Sequence, residues 1–131
     1  TITQLLSRIN TDRIRILPPV SHKDMYELLS RYDIGLAFYQ NTDLNNYYCA
    51  PNKVYDYLQM GMPVITDDYP GLLDIVGNNR AGVCLSRVDA EHIQAAVRTI
   101  EADNLYHNIS TDIRQRYSWE HQESGYLELF S

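Results

Sequence analysis

The sequence predicts an α/β fold, a parallel sheet of about four strands flanked by helices. Three observations carry that prediction. Short apolar runs alternate with stretches of helical period. One run, residues 34–39, is almost continuously apolar, which suits a strand buried on both faces of a parallel sheet. Proline and glycine punctuate the boundaries at Pro18-Pro19, Gly61, Pro63 and Gly77. With 131 residues, 44% hydrophobic and 21% charged, the chain has the size and composition of one globular core and not of a disordered segment.

The elements follow in order. Residues 2–9 place apolar groups at 2, 5, 6 and 9, a helical period. Residues 13–17 alternate and read as a first strand, closed by Pro18-Pro19, which cannot donate to a ladder. Ser21 with Asp24 has capping-box spacing, and Met25, Leu28, Leu29 and Tyr32 continue as a helix. The strand at 34–39 leads into a polar loop, 40–50. Pro51 opens a helix over 52–60, with Gly61 as its C-terminal cap and Pro63 as its stop. A strand at 63–66, a loop at 67–71, a short helix at 72–76 and a turn at 77–79 precede a fourth strand at 82–85. Asp89 caps a helix carrying Ile93, Ala96, Val97 and Ile100. Leu105, Ile109 and Ile113 mark another, and Ser118 caps a last helix over 119–130. Alternation of this kind implies right-handed crossovers and helices on both faces.

The formal net charge of −6, with no Lys/Arg-rich run, argues against nucleic acid as a partner. No apolar stretch reaches the roughly 20 residues that span a bilayer, and no signal peptide is visible. Cys49 and Cys84 show no metal-ligand spacing and read as reduced thiols, Cys84 in a strand, which points to the cytoplasm. Eleven tyrosines are many, and such side chains suit surfaces that meet a ligand or another domain. The histidines at 22, 92, 107 and 121 are scattered and read as surface residues. Asp67-Asp68 reads as a turn.

In open parallel sheets, ligands bind beyond the carboxyl ends of the strands. The long loop after Tyr39 ends in a helix N-terminus, whose free amides favour an anion. Lys53 in that first turn opposes the helix dipole, which a bound anion would explain. Asn52, Lys53 and Asp56 share a face, and a carboxylate one turn inward could take two neighbouring hydroxyls. The reading is a nucleoside diphosphate with its phosphates on the helix start and its ribose on Asp56. The same spacing also describes a solvated face with a weak ion pair.

The segment from Ala50 to Ile65 (APNKVYDYLQMGMPVI) resembles the donor-site signature of the family 4 retaining glycosyltransferases, also called glycosyl transferases group 1. The match lies in an acidic residue on a helix, a glycine five residues on, then x-Pro-Val-Ile as a strand. Residues 13–38, 68–76, 82–85 and 117–120 resemble further segments of that family in the same order, so nearly the whole chain is covered. The resemblance implies a Rossmann-like donor-nucleotide domain of a GT-B glycosyltransferase, with a helix at 119–130 that crosses back to the N-terminal domain. It places Asp56 on the ribose, Asn52 and Lys53 with Pro51 at the diphosphate, and the main chain near Val20 at the base, with Pro18 where relatives often carry glycine. Tyr48 stands where the family carries its other acidic residue.

By the same resemblance residues 1–131 are a partial donor domain, without the acceptor domain and two upstream strands, so that the strand at 13–17 must move, pair elsewhere or leave a gap. The opening Thr-Ile-Thr-Gln, without methionine, agrees with an excised piece. A longer parent is then the enzyme, of hexosyltransferase type, and the piece alone is inactive. The substrate would be a UDP- or GDP-sugar, with no cofactor and no metal. A saccharide or lipid-linked acceptor would be held by the missing domain, for polysaccharide biosynthesis in the cytoplasm at the inner membrane face, with peripheral membrane association of the parent. Two other classes fit: a non-catalytic sugar-nucleotide-binding or interaction module, and a flavodoxin-like or receiver-like domain. The opening helix, in place of a strand ending in acidic residues, disfavours a receiver.

Overall fold

The computed structural model of the chain describes residues 2–9 and 11–130. Thr1, Asn10 and Ser131, which the expected domain boundaries include, lie outside the described residues, as do the side chains of Ile2 and Thr3. The order is α1 (Ile2–Ile9), α2 (His22–Leu29), β1 (Gly35–Ala37), α3 (Leu44–Tyr48), α4 (Asn52–Gln59), β2 (Val64–Asp67), α5 (Pro70–Leu72, continuing as a π-helical turn over Leu73–Gly77), β3 (Gly82–Leu85), α6 (Ala90–Ala102), α7 (Thr111–Arg116) and α8 (Trp119–Glu128). The three strands form one parallel sheet in the order β1-β2-β3. Leu36 pairs with Ile65, and Ile65 with Val83.

Central β2 is buried at all four residues. Its alternation sends Val64 into one core and Ile65 into the other. Val64 packs with Val54 and Leu58 of α4, Leu72 and Val76 of α5 and its π turn, and Ile109. Ile65 packs with Leu85 and with Ala96 and Ile100 of α6. Helices therefore cover both faces, as a parallel sheet requires.

Local chemistry fixes the helix ends. Ser21 Oγ accepts the Asp24 amide at 3.2 Å and donates to the Asp24 carboxylate at 2.6 Å. This is a capping box in which the carboxylate takes the serine hydroxyl rather than the backbone amide. Helix α4 ends in a Schellman motif: the Gly61 amide bonds Leu58 O and the Met62 amide bonds Tyr57 O, with Gly61 at φ +71°. Asp89 caps α6 through the His92 amide at 2.9 Å, and that bond, ahead of the contacts with the His92 ring and Arg87, holds its carboxyl below the usual range.

The structure differs from the sequence expectation in four places. Residues 13–17 form no strand, so the sheet has three strands where about four were expected, and β1 is its edge. Ile14, Ile16 and Leu17 are exposed instead. Alternation specifies an extended backbone but not a partner, and a strand needs a ladder. The expected loop at 40–50 contains α3, capped by Asp43 through the Asn46 amide at 2.8 Å. Leu105 and Ile109 are not helical. Asn104 and His107, at φ +51° and +53°, turn the chain, and Ile109 reaches the core from irregular backbone before Ser110 caps α7. Asp67 closes β2 and is buried, not part of an open turn. Helix α8 is exposed along its length, with Trp119 standing beside Tyr55, Tyr117 and Gln122 around a hollow of about 370 Å³. Among the described residues no helix is long and apolar enough to cross a membrane.

Two glycines differ in what a methyl group would meet. At Gly61 a Cβ finds only His107 backbone at 3.7 Å, so Gly61→Ala suffers the left-handed backbone alone, about 1–2 kcal/mol. At Gly82, φ +152°, a Cβ would strike the Val64 backbone and force β2 and β3 apart. Urea unfolding should therefore show Gly82→Ala losing clearly more stability than Gly61→Ala; equal losses would contradict the close approach. Burial pushes the Cys84 thiol up to about 11. Because the thiolate is the nucleophile, iodoacetamide should modify Cys84 of the folded chain slowly at pH 8, with the rate climbing only as pH nears that value. Peptide mass spectrometry reads this, and rapid labelling at pH 8 would refute it.

Candidate functional site

The site is built where β1 and β2 end. Asp67, 7% exposed, turns its carboxylate back to the chain leaving β1 and accepts the Tyr39 amide at 2.7 Å. Thr66 Oγ1 donates to Ala37 O at 2.6 Å. The Tyr69 hydroxyl donates to Tyr39 O at 2.9 Å. Both backbone groups of Tyr39 are thus satisfied by side chains beyond the ladder, and its ring is held at the carboxyl edge. Burial pushes the Tyr69 phenol up, with the charges of Asp67 and Asp68 adding to it. An aromatic wall continues from there: Tyr47 lies 5.3 Å from Tyr69, and Tyr48 stands edge-on to Tyr47 at 4.9 Å.

Helix α4 begins beside this wall. Its N-cap, Pro51 at φ −72° and ψ 137°, has no side chain to accept a bond. The short α5, which begins at Tyr69-Pro70, likewise lacks a side-chain cap, whereas α2, α3, α6, α7 and α8 are each capped by a serine or aspartate oxygen. Helix geometry leaves the amides of Asn52 and Lys53 without an intrahelical acceptor, and both residues are exposed. The Lys53 ammonium sits 4.6 Å from the centre of the Tyr39 ring, a cation–π contact.

One turn on, Asp56 is half-buried. Its Oδ1 accepts the Tyr26 hydroxyl at 3.2 Å, a bond from α2 to α4. Burial, then the Asp56 charge, pushes the Tyr26 phenol up. Tyr57 shows that these groups share one electrostatic neighbourhood. Its phenol is pushed up by burial first, pulled down by Lys53, and pushed up again by Tyr39 and Asp56.

Of the residues singled out from sequence, Pro51, Asn52, Lys53 and Asp56 are brought together on the first two turns of α4. Tyr48 is 62% exposed and belongs to the aromatic wall. Val20 stands apart, beside Asp24, Glu27, Leu28 and Arg31 around a shallow hollow of about 240 Å³. Tyr26, Tyr39 and Tyr69 were not singled out, and Asp67 was read as a turn. Their partners lie 28 to 30 residues away in sequence, and only the high tyrosine count hinted at them. Among the described residues, no three His, Cys, Asp or Glu side chains stand close enough to hold a metal ion.

The arrangement offers free helix amides and an ammonium to an anion, and a carboxylate to hydroxyl donors about one helical turn away. Compared with known families, residues 2–116 match the one described as glycosyl transferases group 1. No curated protein and no solved structure matches the chain significantly.

Proposed function

The chain belongs to the glycosyl transferases group 1 family, and from that premise we propose that it binds the nucleoside-diphosphate sugar donor of a glycosyl transfer at the start of α4. The observation that carries this reading is the uncapped helix start with Lys53 in its first turn and Asp56 one turn further. When a sugar leaves such a donor, negative charge grows on the departing diphosphate. Leading amides of a helix and an adjacent ammonium stabilise charge developing there. Lys53 is available for this because the contact it makes is with an aromatic face, which a phosphate outcompetes. Asp56 forms no ion pair among the described residues, which leaves its carboxylate oxygens to accept the ribose hydroxyls. Tyr47, Tyr48 and Tyr69 supply faces against which a sugar or base ring can lie.

The finer assignments rest on the family resemblance. They are a saccharide or lipid-linked acceptor bound by a preceding domain of a longer parent of hexosyltransferase type, a GT-B architecture, no metal cofactor, and cell-surface polysaccharide assembly on the cytoplasmic side. Val20, standing apart from α4, gives the base contact no support beyond that resemblance. A second reading, a non-catalytic sugar-nucleotide-binding module, is favoured by Tyr48, a neutral residue where the resemblance calls for a carboxylate.

Calorimetric titration of the chain with UDP and with GDP tests the proposal. Saturable binding of at least one is expected. Asp56→Ala should cost about 1.5–3 kcal/mol, tenfold or more in Kd. Lys53→Ala should weaken the diphosphate more than the matching monophosphate. Binding that both substitutions leave untouched would put the site elsewhere. Transfer activity of the longer parent that survives Tyr48→Phe would speak for the enzyme, and a parent that binds without turnover for the module.

A further inference from the structure

We infer that Tyr26 is a positioning residue that orients the Asp56 carboxylate toward the vicinal hydroxyls of the nucleotide ribose; this rests on the donor-site reading given above. Nothing in the sequence joins the two residues, which lie 30 apart, yet the phenol of α2 reaches Asp56 Oδ1 at 3.2 Å. The phenol is itself held. His22, one turn earlier on α2, meets the Tyr26 ring edge-on, with centroids 5.2 Å apart and planes at 86°. The start of α2 is fixed in turn by the Ser21–Asp24 capping box. A chain of contacts therefore runs from the start of α2 through His22 and Tyr26 to one oxygen of Asp56.

The chemistry of the pair favours orientation over simple helix-to-helix fastening. A carboxylate offers about four acceptor positions, and one phenol takes a single one. Oδ2 and the second lone pair of Oδ1 remain for a diol. A lysine or arginine in the place of Tyr26 would also orient the carboxylate, but it would neutralise the charge that makes it a strong acceptor. A neutral donor orients and leaves the charge in place. A phenol is protonated and donates throughout the neutral range, and burial and the Asp56 charge push its titration further up. A half-buried aspartate fixed in this way loses less freedom when it binds hydroxyls, and such preorganisation strengthens binding.

Titrating UDP and 2′-deoxy-UDP into the wild-type chain, Tyr26→Phe, Asp56→Ala and the double variant tests the assignment, with GDP and 2′-deoxy-GDP in parallel. Tyr26→Phe keeps the ring against His22 and removes only the hydroxyl. It should weaken UDP or GDP about 3- to 10-fold, the worth of one ordinary hydrogen bond. The loss should shrink toward nothing for the 2′-deoxy nucleotide and in the Asp56→Ala background. If Asp56→Ala weakens binding while Tyr26→Phe does not, or if Tyr26→Phe weakens ribo- and deoxynucleotide equally, the inference about Tyr26 is wrong and the donor site stands. If Asp56→Ala changes nothing, the donor site itself is misplaced and the role of Tyr26 goes with it. Tyrosine ring-carbon NMR reads the contact without any nucleotide. Because the carboxylate charge raises the phenol, Asp56→Asn should move the Tyr26 titration to lower pH. An unchanged midpoint would mean that the pair is not formed in solution.

Discussion

The carboxyl edge of the sheet depends on how β2 grips the chain leaving β1. Strand β1 has three residues and stands at the edge, so its ladder alone is a weak anchor. Two side chains of β2 extend the grip past the ladder: Thr66 Oγ1 takes Ala37 O, and the buried Asp67 carboxylate takes the Tyr39 amide. A carboxylate nearly removed from water is costly unless it is hydrogen-bonded, and here the backbone it satisfies is the first stretch of the functional loop. Fixing Tyr39 places its ring under the Lys53 ammonium and its carbonyl against Tyr69. Where the Tyr39 ring meets the start of α4 thus follows from a bond made by the neighbouring strand.

The fold was legible where a residue's role is local. Ser21, Asp89 and Ser118 each cap a helix, Gly61 closes α4 in a left-handed turn, and the runs read as strands at 34–39, 63–66 and 82–85 contain the three strands that pair in parallel, Gly35–Ala37, Val64–Asp67 and Gly82–Leu85. It was not legible where the outcome depends on a partner. Residues 13–17 have the pattern of a strand without a ladder beside them. Leu105 and Ile109 have helical spacing, yet Asn104 just before Leu105 and His107 between the two take positive φ and break the helix there. The short α3 did carry a local signal, Asp43 three residues before Asn46, inside a segment whose polarity suggested a loop.

The candidate site divides along the same line. Pro51, Asn52, Lys53 and Asp56 were readable because one helix carries them at fixed spacing, and helix geometry needs no tertiary information. The residues that give those four their setting come from α2, from the loop after β1 and from the end of β2. A proline rule or a dipole argument can find a lysine that stands against the helix field. Neither can find the aromatic ring on which its charge rests.

Helix capping gives the strongest physical argument for where the ligand belongs. Five helices satisfy a leading amide with a side-chain oxygen, each worth about 1 kcal/mol. Helix α4 forgoes this, beginning at a proline and adding a lysine to its positive end, a placement the macrodipole disfavours. Its leading amides have no side-chain cap. Its stability comes from elsewhere: Val54 and Leu58 are fully buried, and the Schellman turn closes its other end. Because packing and the C-terminal turn already hold the helix, its N-terminus can stay uncapped without fraying. An anion at this end would complete the missing cap and relieve the lysine in one step, so a feature that disfavours the helix by itself would favour the proposed complex.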